Sequence, residues 1–260
     1  VRTLFRVELR RVLRDPGYLC GNLIIPVGMC LLLSLRYSPP VPDGVDPTTY
    51  LAVSIALFSS VSAALNSTGL RILKERHTGW TTRLGLTPLP AHRYLLLKLG
   101  VGAVSCLLPV LLIPGLIAGV MGTRVPCTAF LLSLLTAWLG TLLFCALGTL
   151  IGCRLGEAGG GLLCVSLHVV LSVLAGVFWP VSAMPGWMQA ATLANPLRHL
   201  LEAVHQVQAG GAPGPVPVLA LLGVLLCVSL ALVVPRHRVL GHRTRLEVHR
   251  GTQPPTVPTQ

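Results

Sequence analysis

The chain has 260 residues, 53% hydrophobic and only 11% charged, whereas a soluble domain is about 25% charged. Such a chain cannot cover a water-facing surface and is too apolar to stay disordered, so it reads as a membrane protein. Its net charge of +12 falls in short blocks between apolar runs, the pattern of membrane topology rather than of nucleic-acid binding.

The N-terminal segment, residues 1–15, places Val1, Leu4, Phe5, Leu9 and Val12 on one helical face and Arg6, Arg10 and Arg14 on the other. This predicts a cytoplasmic interface helix lying on the inner leaflet, which also serves as a positive-inside anchor. A helix needs about 20 apolar residues to cross the bilayer core. Six stretches meet that length: 17–35, 50–69, 95–120, 127–153, 161–179 and 215–234. Pro26 lies inside the first, and no small-x-small cleavage site follows it, so it reads as a span and not as a cleavable leader.

Between the second and third spans lies a basic, punctuated segment carrying Trp80, Leu84, Leu86, Pro88 and Pro90, with Gly79 placed to stop a short helix. It is too polar to cross and too short to be a domain, and suits docking to a soluble partner. A smaller loop, 154–160, follows the fourth span. Gly148, Gly152, Gly156 and Gly160 recur every four residues, a spacing that permits close helix packing but that chance also yields among 27 glycines. After the fifth span, Pro180 is expected to end the helix. Residues 180–206 then read as two short half-inserted helices broken at Asn195 and Pro196, anchored by Trp179 and Trp187. A basic tail, 235–260, closes the chain.

Of the 20 Lys and Arg residues, all but Arg36, Arg124 and Arg198 fall on one side of this arrangement. Both termini are therefore expected in the cytoplasm. The eight cysteines lie in or beside apolar runs without a CxxC pair, so neither a disulfide framework nor a metal site is expected. No P-loop, H-E-x-x-H or G-x-S-x-G motif occurs. The eight carboxylates all fall outside the six stretches, and His168 in the fifth is expected to be a hydrogen-bonded packing residue. The chain thus offers a membrane path without an energy source of its own.

Two stretches resemble the ABC-2 type transporter permeases, and within them the bacterial drug and polysaccharide export branch with its daunorubicin-resistance-like membrane subunits. The first is Lys74-Glu75-Arg76-His77-Thr78-Gly79 followed by Leu86-Thr87-Pro88-Leu89, with Tyr94 and Lys98 on the next helix. The second is Val177-Phe178-Trp179-Pro180, then Met184-Pro185-Gly186-Trp187, then Asn195-Pro196-Leu197. His77 and Trp80 stand where the family commonly has an acidic residue and a threonine.

The resemblance implies an all-α membrane protein with a six-helix domain over 16–234. Its ATPase-coupling region would be 70–90, with Glu75, Arg76, Gly79, Thr87 and Pro88, and Glu157 would sit in a second coupling loop. Trp179, Pro180, Pro185, Trp187, Asn195 and Pro196 would build the external gate. It also implies that the chain holds no cofactor and is no enzyme. ATP and Mg would bind a separate P-loop ATPase, and the permease would pair with a second copy as a homodimer in the plasma membrane, among lipids and without nucleic acid. The expected cargo is an amphipathic drug-like or lipid-linked molecule moved outward. An intramembrane lipid-modifying enzyme and an ion-coupled secondary carrier are the alternatives. The first lacks a visible acid/base cluster, and the second lacks carboxylates in the spans.

Overall fold

The computed structural model describes residues 2–36, 45–84, 91–122, 127–178, 181–212, 214, 218 and 222, and among them the regular secondary structure is all helical. Helix α1 spans Arg2–Leu13. Asp15 then caps the next helix, accepting from Gly17 N and Tyr18 N, with Pro16 in the first turn where its missing N–H costs nothing. That helix, α2, runs Pro16–Arg36. Helix α3 runs Pro47–His77, capped by Asp46, and the short α4 is Trp80–Leu84. Then come α5 (Ala91–Met121), α6 (Cys127–Arg154) and α7 (Glu157–Ala175). Two shorter helices follow, α8 (Gly186–Thr192) and α9 (Pro196–Gln208).

Five of these, α2, α3, α5, α6 and α7, are long and apolar enough to cross a membrane. The sixth predicted stretch, 215–234, and the tail lie outside the described residues, as do residues 85–90. Three boundaries differ from expectation. The second span does not stop at Gly69 but continues as helix to His77, and the third begins at Ala91, so much of the presumed loop is helical. The fifth ends at Ala175 rather than at Pro180, because Gly176 adopts the left-handed φ of 81° that closes a helix.

Helix α3 is the hub. Its span is mostly buried by protein, whereas α2 and α7 leave most of their apolar surface outward, as lipid-facing helices do. Close approach of α3 to α6 runs through glycine. A Cβ on Gly152 would meet Ile72 Cβ at 2.8 Å and the Gly69 carbonyl at 3.0 Å, and one on Gly148 would crowd Gly69 N at 3.2 Å. Gly160 on α7 packs on Leu73 in the same way, so three of the four periodic glycines are packing positions. Gly156 meets nothing and instead precedes α7 as its N-cap.

Both α2 and α3 contain one π turn, at Cys20–Ile24 and Asn66–Leu70. Proline explains part of the polar stitching. Pro26 has no N–H for the carbonyl of Asn22, and Ser59 Oγ of α3 donates to that oxygen instead. Pro109 inside α5 likewise frees the carbonyl of Ser105, and Tyr18 Oη takes it at 2.9 Å. The Asn22 and Asn66 side chains bond within their own helices, to Tyr18 O and Ser62 Oγ, rather than across to neighbours.

Candidate functional site

The first motif, around Glu75, assembles into a buried ionic cluster. On α3, Ile72 and Leu73 face inward, and Glu75 follows on the same side, 7% exposed. On α5, Lys98 is 1% exposed. On α1, Glu8 lies on the apolar stripe with Phe5 and Val12 and is 2% exposed. Lys98 Nζ donates to Glu8 Oε2 at 3.0 Å and also to Glu75 Oε1. Tyr94, one turn before Lys98, donates its hydroxyl to Glu75 Oε2 at 2.5 Å, and its ring lies 5.5 Å from the ammonium. Arg71 stands 3.9 Å from Glu8 and 3.8 Å from Asp15. One lysine therefore ties three helices together. Buried charges persist only when paired and hydrogen-bonded, and Lys98, Glu8 and Glu75 meet that condition.

One expectation is corrected by this geometry: Glu75 is not outside the helical spans but on the continuous α3. Lys98 lies on the helix expected for it, and is buried there.

A second set of contacts joins this cluster to the α6–α7 turn. Arg76 Nη1 donates to the carbonyls of Gly152 at 2.7 Å and Leu155 at 2.8 Å. These belong to the C-terminal end of α6, where carbonyls lack helical partners and the dipole favours a cation. His77 Nδ1 lies 2.9 Å from Glu157 Oε2, and Glu157 begins α7, where a carboxylate is favoured. Gly79 has a φ of 72°, which ends α3 and turns the chain into α4. Thus Glu75, Arg76, Gly79 and Glu157 come together, while Thr87 and Pro88 lie outside the described residues.

The other predicted set lies at the opposite ends of the helices. Pro185 precedes α8 and Trp187 is 72% exposed. Asn195 caps α9 by accepting from Leu197 N, donates to the Leu171 carbonyl at 2.8 Å, and is followed by Pro196 in the first turn. Trp179 and Pro180 lie outside the described residues. Nearby, His205 stacks on Tyr50 at 3.5 Å and sits 2.9 Å from Ser54 Oγ. Burial pulls its imidazole well below its ordinary pKa, and Arg198 adds to that, against a hydrogen bond to Gln208 Oε1 that opposes it. His168 bonds the Phe58 carbonyl at 3.0 Å.

The seven described cysteines are free thiols, and among the described residues no group of three or more His, Cys, Asp or Glu is gathered as for a metal ion. Sequence reasoning missed Glu8, Asp15 and Arg71. The available signal was Glu8, a carboxylate on the apolar stripe of an otherwise basic helix.

A family model described as ABC-2 type transporter matches residues 1–209. The chain is also 28% identical over 225 residues to the "Putative transport permease YvfS" of Bacillus subtilis (strain 168), covering 86% of this chain and 91% of that protein.

Proposed function

This chain belongs to the ABC-2 type transporter family and is a multi-pass membrane protein, and from that premise we propose that it is the permease of an exporter driven by a separate P-loop ATPase. Two permease copies, with both termini cytoplasmic and six spans each, would enclose the path. Helix α1 would lie at the inner membrane surface. The C-terminal end of α3 with α4, and the α6–α7 turn, would receive the ATPase, and α8 and α9 would close the outer end. The cargo would be amphipathic, drug-like or lipid-linked, leaving the cell and conferring resistance where it is toxic.

The observation that carries this reading is the linkage of the two cytoplasmic elements. Arg76 and His77 bind them to each other, and Lys98 binds them to α1 and α5. A push on either element would move helices that reach across the bilayer, and a soluble motor needs such a connection. Glu8 and Glu75 are both held by Lys98, which suits a structural tie better than a proton relay.

Tagged protein, isolated in mild detergent from its native host, should retain a P-loop ATPase in stoichiometric amount. Gly79→Pro cannot adopt the φ of 72° at the α3–α4 turn and should lower that recovery by about tenfold, since one lost docking element is worth roughly 1.4 kcal/mol or more. Wild-type protein recovered without an ATPase, or undiminished recovery with Gly79→Pro, would overturn the assignment.

A further inference from the structure

A cavity of about 680 Å³ opens where α1 and the start of α2 meet the lower half of α3 and α4. Its size falls within the range of small-molecule sites. The charge cluster touches it from one side, but most of its lining takes no part in that cluster. Three cations border it, Arg11, Arg71 and Lys74, against two carboxylates, Asp15 and Glu75. Both carboxylates are already engaged. Asp15 accepts from two backbone N–H groups, and Glu75 accepts from Lys98 and Tyr94.

The cations are less completely used. Arg71 reaches its two partners only at 3.8 and 3.9 Å, beyond hydrogen-bond distance. Lys74 makes no ion pair among the described residues, and Arg11 lies 3.9 Å from Glu8. The lining therefore presents unsatisfied donors and positive potential.

Two further observations single out this cavity. The π turns of α2 and α3 both border it, through Gly21 and Asn22 on one side and Asn66, Ser67 and Leu70 on the other. Single π turns in otherwise regular helices recur at functional sites. Asn22, 2% exposed and part of the lining, also leaves its Oδ1 without a donor. Immediately after it, α2 turns outward an apolar face at Ile24 and Ile25, 66% and 60% exposed. A ligand at this place meets cations and amides at one end and bilayer at the other.

The geometry points to a binding site for the headgroup of a phosphate-bearing amphiphile, whose tail lies in the inner leaflet against α2. Arg71, Lys74 and Arg11 neutralise the phosphate, and a headgroup hydroxyl supplies the donor that Asn22 lacks. This deepens the exporter reading by naming a substrate class, and it rests on that reading for the choice of the inner leaflet and for the idea that the occupant is cargo.

The test is read without any ATPase, so failure of the exporter reading leaves it intact. The full chain in neutral detergent is titrated with dioleoyl phosphatidylglycerol, with dioleoyl phosphatidylcholine, or with inorganic phosphate, and bound lipid is counted by native mass spectrometry. Phosphatidylglycerol should bind one per chain and ahead of phosphatidylcholine. Lys74→Ala should weaken it about fivefold, the effect of one basic contact with an anionic lipid. Gly21→Trp should abolish it, because Gly21 lines the cavity, a Cβ there meets nothing within 4 Å, and an indole carried on it would take up cavity space. Arg10→Ala, an exposed cation outside the lining, should change it less than about twofold. Equal losses in Arg10→Ala and Lys74→Ala with Gly21→Trp silent would mean general surface attraction and overturn the site. Displacement of the lipid by an equal concentration of inorganic phosphate would overturn the amphiphile assignment.

Discussion

Lys98 shows how one side chain can organise a membrane-boundary site. Its ammonium is out of water, and two carboxylates and a tyrosine ring surround it. Such a group stabilises the fold less by net attraction than by the cost of leaving its partners alone. Removing one member of a buried ionic group costs about 3–5 kcal/mol, whereas replacing the whole group by neutral residues is often tolerated. Lys98→Met should accordingly lower thermal stability in detergent by about that amount, leaving Glu8 and Glu75 buried without a cation. Combining it with Glu8→Gln and Glu75→Gln should recover most of the loss. A Lys98→Met protein that melts like the wild type would show that the three groups are not charged and buried together. Arg76 works differently. It is largely exposed and binds two C-terminal carbonyls of α6, so its contribution lies in joining elements rather than in stabilising a core.

At the scale of elements, the α3–α6 contact depends on the absence of side chains. Gly69 and Gly152 approach backbone to backbone, and the Ile72 side chain occupies what remains. In a lipid environment, where apolar burial gives helices little reason to associate, this intimacy supplies the dispersion contacts that do. Gly152→Ala should therefore destabilise the protein by about 1–3 kcal/mol, the usual effect of overpacking. Gly159→Ala, on α7 where a Cβ meets nothing within 4 Å, should instead leave stability unchanged or raise it by about 0.5–1 kcal/mol. Unfolding measured in detergent distinguishes them, and equal effects would refute the close crossing. Pro26 of α2 and Pro109 of α5 show the same economy. Each frees a carbonyl that a neighbouring helix bonds, through Ser59 or Tyr18, so an interruption in one helix becomes a link to the next.

Over the whole molecule, the proposed export function would require that one end face the ATPase and the other face the exit. The charge cluster and the Arg76 contacts lie at one end of the helices, whereas Asn195, α8 and α9 lie at the other. The bias of Lys and Arg predicts that the charge-cluster end is the cytoplasmic one. In a protein stripped of its eight cysteines, Ala190→Cys on α8 should react with an impermeant thiol reagent in intact cells. Ala158→Cys, at the start of α7, should react only after the membrane is opened. Both positions are exposed, so a reversed or uniform pattern would reflect topology and not burial.

Much of this architecture is legible in the linear sequence. Apolar runs about 20 residues long are long enough to cross a bilayer, so the five described candidate spans are found from composition alone. The helix-break-helix pattern at Asn195 and Pro196 is equally local, because an N-cap and a proline act within one turn. The ends of the spans are not local. Residues 70–77 are polar enough to read as loop, and they remain helical because Glu75 finds Lys98 and Tyr94 on another helix. Glu8 and Lys98, 90 residues apart, look like ordinary surface charges until three helices bring them together. Hydropathy and periodicity determined that this is a multi-pass membrane protein and where its long apolar helices lie. Only the tertiary structure decided which charges are buried, because the cost of burying a charge depends on partners that no single helix contains.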